Sequence, residues 1–233
     1  ASTVGPMFWQ TSKPSVHWQR WVPGVLWLLL AGMTLFAFSE LAHAWSWLLA
    51  LLIAALAVLA LFALSGAKRR FDPAWILWVG CALSWLLCAL IYLLGEVVDV
   101  KSARLASAIS WWIGVLALVG GAVFPVNAML GKIIPFLVFL HLRRQIAIDH
   151  AAPKRIPTMQ EIILPQHLRW QARLLILSLC LLLLLPLFPK IFLPIAGISF
   201  AVSQALLASL LLRALFRYRR ELRKALFVTS SMR

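Results

Sequence analysis

The chain has 233 residues and a formal net charge of +15, and 63% of its residues are hydrophobic against 12% that are charged. Soluble domains average about 45–50% apolar and about 25% charged residues, and the mean hydropathy of +0.94 is equally far from theirs. These values exclude an ordinary cytosolic domain, a disordered chain and a disulfide-rich scaffold. They predict one all-α domain over residues 1–233, a polytopic helical membrane bundle.

Five predicted spans are plain apolar runs, because each is close to the roughly 20 residues that one crossing needs. The third follows Asp72 and Pro73, a typical helix N-cap followed by proline at the first helical position. The five runs are 22–39, 45–65, 74–94, 173–188 and 191–212.

The fourth segment, 105–142, is too long for one straight crossing. As a single helix it would measure about 57 Å at 1.5 Å per residue, against a hydrocarbon core of about 30 Å. It contains Pro125 and Pro135, each of which removes a backbone donor. The pattern predicts a proline-broken segment, and 125–142 is open to three interpretations: a re-entrant piece, an interfacial piece or a kinked helix extension.

The basic residues favour one net crossing for this segment. With one crossing, 18 of the 22 Lys and Arg residues share one side of the membrane. Two crossings would scatter the basic clusters over both sides, against the positive-inside rule. The sequence therefore predicts six net crossings, with both termini and the 143–173 loop cytoplasmic.

The C-terminal tail, 213–228, combines apolar residues at helical spacing with many basic residues. This pattern is typical of a basic amphipathic helix that lies on anionic lipid headgroups. A simple orientation-setting charge cluster explains the same residues equally well. The bilayer is the expected partner in either case, and no nucleic-acid-binding motif accompanies the charge.

Three polar residues in the fourth segment are the candidate site. Asn127, Lys132 and His141 lie in apolar surroundings, where ionisable and amide groups usually have a functional or a packing reason. Asn127 and His141 fall on one face of a continuous helix, and Lys132 points elsewhere. The structural alternative is that Asn127 caps the break, Lys132 snorkels to headgroups and His141 is interfacial.

No motif for catalysis or for a metal is present. The five histidines form no HxxxH or HExxH pair, and the sequence has no P-loop and no GxSxG. No carboxylate falls in the middle of a span, which disfavours a proton-driven transporter. These patterns leave a metal site undefined and favour a non-catalytic protein over an enzyme.

Two segments carry a family resemblance. GPMFWQT at 5–11 and MLGKIIPFLVFLHL at 129–142 resemble motifs of poorly characterised bacterial polytopic membrane proteins. Those proteins are distantly similar to the haem–copper oxidase catalytic-subunit superfamily and its nitric-oxide-response relatives. The resemblance implies that the chain is the C-terminal half of a larger bundle with a haem or copper role. No paired His-His or His-x-His stands in a predicted span, so the haem or copper ligands would come from helices before Ala1 or be absent.

These observations predict an accessory, non-catalytic inner-membrane protein related to respiratory or nitrogen-oxide-response proteins. Other subunits of a membrane complex are then its expected protein partners. Two alternatives stay open at the level of sequence. One is a permease for small solutes or metals with its site between Asn127 and His141, and the other is an intramembrane haem or copper enzyme.

Overall fold

A computed structural model describes residues 16–35, 41–67, 72–98, 102–148 and 158–231, and all regular secondary structure in these residues is helical. The predicted all-α architecture is confirmed for this part of the chain. In chain order the helices are α1 (Val16–Leu35), α2 (Leu41–Ser65), α3 (Pro73–Val97), α4 (Ala103–Val115), a π-helix (Leu116–Val123), α5 (Phe124–Ile148), α6 (Met159–Ile162), α7 (Pro165–Leu184) and α8 (Pro189–Ser231).

Five helical stretches in the described residues are long and apolar enough to cross a bilayer, which confirms a polytopic membrane bundle. The apolar part of α1, Pro23–Leu35, is shorter than the roughly 20 residues of a full crossing. The predicted count of six crossings is therefore not confirmed. The five stretches are Leu41–Ser65, Pro73–Val97, Ala103–Arg144, Pro165–Leu184 and Pro189–Arg223.

Large apolar side chains point outward from these stretches. Phe62 on α2 is 78% exposed and Leu118 on the π-helix is 68% exposed. In the most apolar window of each stretch, at most 33% of the residues are buried inside the protein. Soluble proteins rarely expose apolar surface on this scale, so the outer faces of the helices are suited to contact lipid.

The start of α3 agrees with its prediction to one residue. Asp72 occupies the N-cap position with an extended backbone and Pro73 is the first helical residue, but the Asp72 side chain makes no capping hydrogen bond. The Trp75 indole N–H donates to the Leu64 carbonyl oxygen at 2.9 Å and ties this start to the end of α2. The local cap signal was enough here because proline fixes where the helix can begin.

The proline break of the fourth segment is not confirmed. The chain remains helical from Ala103 to Ile148 through α4, the π-helix and α5. The irregularity comes before the prolines, because the π-helix ends directly ahead of α5. Pro125 lies in the first turn of α5, and Pro135 lies within it.

Glycines let the π-helix approach α3 closely. A Cβ atom on Gly120 would overlap the Ser84 side chain, and one on Gly121 would lie 2.7 Å from the Trp85 ring. The sequence places Gly114 on the same small-residue face, but nothing lies within 4 Å of a Cβ there. The close contact is therefore local to the π-helix.

Two tryptophans cap the end of α7. The Trp111 indole N–H donates to the Leu182 carbonyl oxygen at 2.9 Å, and the Trp112 indole donates to the Leu183 carbonyl oxygen at 2.7 Å. The last carbonyls of a helix lack the usual i+4 donor, and the Leu182 oxygen also accepts from the Leu185 backbone N–H at 3.3 Å. The paired indoles therefore add donors from α4 to the end of α7.

The buried side chains form two separate apolar clusters. The first joins α3, α4, α5 and α7 and includes Leu77, Phe124 and Leu175. The second joins the C-terminal half of α5 to α6 and α8 and includes Leu142 and Leu210. The predicted tail 213–228 is not a separate helix, because α8 runs continuously to Ser231.

Candidate functional site

Asn127 lies on α5 close to the π-helix, and only 4% of its surface is exposed. Its Nδ2 atom is buried and makes no hydrogen bond to any described residue. A buried amide that loses its hydrogen bonds costs about 1–3 kcal/mol, and lipid offers no substitute for water. Asn127 is therefore a candidate to hydrogen-bond a molecule that is not among the described residues.

Gln204 on α8 has the same property. Its Nε2 atom is buried and has no hydrogen-bond partner among the described residues. Gln204 and Asn127 line one cavity of about 550 Å³ between α5 and α8, which we call the groove. Its wall is apolar apart from these two amides: Ala122, Val123, Val126, Leu130, Phe200, Leu207, Ala208 and Leu211.

A neighbouring amide shows the opposite arrangement. Gln171 on α7 is 1% exposed, and its Nε2 atom donates to the Ser203 hydroxyl at 3.3 Å. The same hydroxyl donates to the backbone carbonyl oxygen of Gln171 at 3.2 Å. This pair joins α7 to α8 and satisfies itself, as buried polar groups normally do. Asn127 and Gln204 differ from Gln171, because their buried amide nitrogens have no hydrogen-bond partner among the described residues.

Lys132 does not contribute to the groove. Its Nζ atom lies 3.3 Å from Oδ2 of Asp72, the residue that precedes α3. The side chains are 28% and 34% exposed, so the protein does not fully enclose either charge. The ion pair joins α5 to the beginning of α3 and gives Lys132 a structural role that the sequence did not indicate.

His141 lies farther along α5 and is exposed. Its ring centre is 6.3 Å from that of Tyr218 on α8, with the two planes tilted by 56°. From Asn127 to His141 the distance along the helix is about 21 Å at 1.5 Å per residue. The structure therefore places the three residues in separate surroundings: Asn127 lines the groove with Gln204, Lys132 pairs with Asp72, and His141 lies against Tyr218.

The groove can bind but offers no group for acid–base or nucleophilic chemistry. None of its lining residues carries a carboxylate, imidazole, thiol, hydroxyl or amine. Amides donate and accept hydrogen bonds but neither gain nor lose a proton at neutral pH. Among the described residues, no three His, Cys, Asp or Glu side chains are grouped so that they could hold a metal ion.

Gln204 was missed from the sequence although a signal for it existed. It is a lone amide inside the apolar run 191–212, the same kind of signal that selected Asn127. The proximity of the two residues could not be predicted, because spacing rules apply within one helix and not between helices.

The structure describes only one of the two motifs that carry the resemblance. Residues 5–11 lie outside the described residues, and residues 129–142 form an uninterrupted part of α5. Comparisons with protein-family models, with curated proteins and with solved structures found no match to this chain.

Proposed function

We propose that this chain is an accessory, non-catalytic membrane protein whose groove binds an apolar molecule bearing a hydrogen-bond acceptor. One observation carries the proposal. Asn127 and Gln204 both line the same apolar cavity, and the amide nitrogen of each is buried and has no hydrogen-bond partner among the described residues. Unpaired donors of this kind are stabilised by an acceptor oxygen, such as that of a ketone or an ester.

The groove walls define the rest of the ligand. Aliphatic and aromatic side chains surround the two amides, and such walls gain free energy by covering an apolar body. A small number of polar groups in an apolar pocket typically fixes the orientation of the ligand. The ligand is therefore mostly hydrocarbon with one or two oxygens.

Access to the groove is lateral. Ala122 and Val126 at its edge are exposed on the outer surface of the bundle. A molecule dissolved in the bilayer therefore reaches Asn127 and Gln204 without passing through water. This route suits a lipid-soluble ligand better than a hydrophilic solute.

The finer assignments from the sequence belong to the same proposal. Six crossings, an inner-membrane location and cytoplasmic termini are supported by the 18 of 22 basic residues that then share one side. A relation to respiratory or nitrogen-oxide-response membrane proteins is supported by the motifs at 5–11 and 129–142.

A matched pair of probes tests the groove. The melting temperature of the purified chain in detergent is measured with methyl nonyl ketone and with undecane, which differ by one carbonyl oxygen. We expect the ketone to raise the melting temperature more than the alkane does. Asn127→Leu and Gln204→Leu should each remove that difference and still give a folded protein, since both substitutions delete an unpaired donor.

Gln171→Leu is the control variant, because Gln171 is buried nearby but already paired with Ser203. It should lower the melting temperature and preserve the difference between ketone and alkane. Equal shifts with both probes, or a difference that survives both groove substitutions, would contradict the proposal.

A further inference from the structure

An exposed apolar strip runs along α8 toward its arginine-rich end. Ala208, Leu212 and Phe216 are four residues apart in the chain, so they lie one above the other on the same face of the helix. All three are exposed, and Leu212 and Phe216 are 53% and 61% exposed. The strip belongs to the candidate span Pro189–Arg223. Its outer surface is therefore suited to contact the acyl chain of a lipid.

A cavity of about 530 Å³ adjoins the end of this strip. Its lining residues all belong to the same candidate span: Phe216, Arg217, Arg220 and Glu221. At about 100° per residue, their order around the helix is Phe216, Arg220, Arg217, Glu221. The aromatic ring therefore lies at one edge of the cavity, the two guanidinium groups lie in the middle, and the carboxylate lies at the other edge.

A contact with α6 helps to position one of the two guanidinium groups. Arg217 donates to the backbone carbonyl oxygen of Glu161, which lies on α6. The Glu161 side chain in turn accepts from the Thr158 backbone N–H at 3.3 Å. A guanidinium group carries several N–H donors in a fixed plane, so Arg217 keeps donors for a ligand besides this bond.

The charges in the cavity complement a zwitterionic group better than a simple anion. Guanidinium groups present planar donors that match the oxygens of a phosphate. Glu221 is half-buried at the edge, where its carboxylate repels further negative charge but can accept hydrogen bonds from an ammonium group. A carboxylate accepts several hydrogen bonds at once, so its contacts within the protein leave room for this one.

We propose that this cavity binds the headgroup of a membrane phospholipid whose phosphate carries a primary ammonium group, as in phosphatidylethanolamine. The phosphate lies against Arg217 and Arg220, the ammonium group against Glu221, and one acyl chain along the strip. Phe216, the guanidinium pair and Glu221 thus meet the acyl end, the phosphate and the ammonium group in the order in which the lipid carries them.

The direction of α8 agrees with this placement. Glu221 is about 7.5 Å farther along the helix axis than Phe216, on the side away from Ala208 and Leu212. The ammonium group therefore points away from the apolar part of the span. Arg220 is about 24 Å from Gln204 along the same helix, so this lipid site is separate from the groove.

The test measures the dissociation constants of three dioctanoyl phospholipids by isothermal titration calorimetry. The full chain is held in a nonionic detergent at about 0.15 M salt, where attraction between exposed charges is screened beyond about 8 Å. We expect phosphatidylethanolamine to bind about tenfold more tightly than the other two, because only it donates charge-assisted hydrogen bonds to Glu221. Phosphatidylglycerol has no ammonium group, and phosphatidylcholine has one without N–H donors.

Three variants assign the charges to the parts of the headgroup. Glu221→Gln should abolish the preference for phosphatidylethanolamine over phosphatidylglycerol. Arg220→Gln should weaken binding of both lipids about tenfold, because both carry the phosphate. Arg219→Gln is the matched control, since Arg219 is an exposed neighbour that does not line the cavity. It should change either affinity less than about twofold.

Three results would overturn the proposal. Equal or tighter binding of phosphatidylglycerol to the unsubstituted chain would show that the arginines attract any anionic lipid. Equal losses in Arg220→Gln and Arg219→Gln would show that the cavity has no special role. Glycerophosphoethanolamine has the same headgroup without acyl chains and should bind at least about tenfold more weakly, because it buries no hydrocarbon on the strip. An affinity equal to that of the lipid would assign the cavity to a soluble phosphoamine instead.

Discussion

The Cys81 thiol on α3 donates a hydrogen bond to the Gly121 carbonyl oxygen in the π-helix, with Sγ 3.6 Å from the oxygen. In an α-helix that oxygen would accept from the backbone N–H four residues later. The residue four positions later is Pro125, which has no N–H. The Cys81 thiol is therefore a donor from a neighbouring helix to an oxygen that Pro125 cannot serve.

This relationship predicts a coupling between Cys81 and Pro125. Cys81→Ala should destabilise the protein by about 1 kcal/mol when Pro125 is present, because a buried carbonyl loses its donor. Pro125→Ala restores a backbone N–H that can reach the same carbonyl. In a double-mutant cycle, the combined variant should therefore lose about 0.5–1 kcal/mol less than the sum of the single variants.

Cys88 provides the control for that cycle. Its thiol lies 3.8 Å from the Ile113 carbonyl oxygen, which has no proline four residues later. Cys88→Ala and Pro125→Ala should therefore be additive in thermal unfolding in detergent. Additivity of Cys81→Ala with Pro125→Ala as well would show that the thiol does not replace the missing donor.

The close approach of the π-helix to α3 predicts that Gly120 tolerates no side chain. Gly120→Ala should cost about 1–3 kcal/mol, because its Cβ would overlap Ser84. Gly114→Ala should be neutral or slightly stabilising, since space is open there and alanine favours helix. Thermal unfolding of both variants distinguishes them, and Ser84→Gly should partly rescue Gly120→Ala. Equal stability of the two alanine variants would contradict this packing.

The Lys132–Asp72 ion pair predicts a small coupling between two partly exposed charges. Lys132→Gln and Asp72→Asn should interact by about 0.2–1 kcal/mol in a double-mutant cycle, the usual range for solvated ion pairs. Raising the salt concentration should reduce this coupling through screening. A coupling of zero at low salt would return Lys132 to the headgroup-snorkelling interpretation.

The distribution of basic residues predicts the topology. Single cysteines at Ser15, Ala152 and Thr229 should react with a membrane-impermeant maleimide only from the cytoplasmic side, because most Lys and Arg residues then lie there. The unsubstituted chain measures the background from its own three cysteines. Labelling of any of the three positions from the periplasm would refute the orientation.

Helix positions could be predicted from the sequence where a local signal is strong. Asp72 and Pro73 define the start of α3, and apolar run length identifies the major stretches. The continuity of 103–148 could not be predicted in the same way. Proline lowers helix stability locally, but neighbouring helices can compensate, as the Cys81 thiol does for Gly121.

The candidate site was predictable in part. Asn127 was selected from the sequence as an unusual amide, and it lines a cavity. Its proximity to Gln204 depends on how α5 and α8 pack against each other, which the periodicity within one helix does not predict. The helical-wheel argument that joined Asn127 to His141 placed both on one face but ignored the axial separation of about 21 Å.

The π-helix also determines where this chain tolerates the deletion of one residue. A π turn closes over one residue more than an α turn, so deletion of one residue from Leu116–Val123 can be absorbed by a return to α-helical bonding. Deletion of a residue between Asn127 and His141 has no such reserve and rotates all that follows by about 100°. A deletion in the π-helix leaves Asn127 in the groove and His141 against Tyr218. A deletion between Asn127 and His141 leaves Asn127 in the groove but moves His141 away from Tyr218.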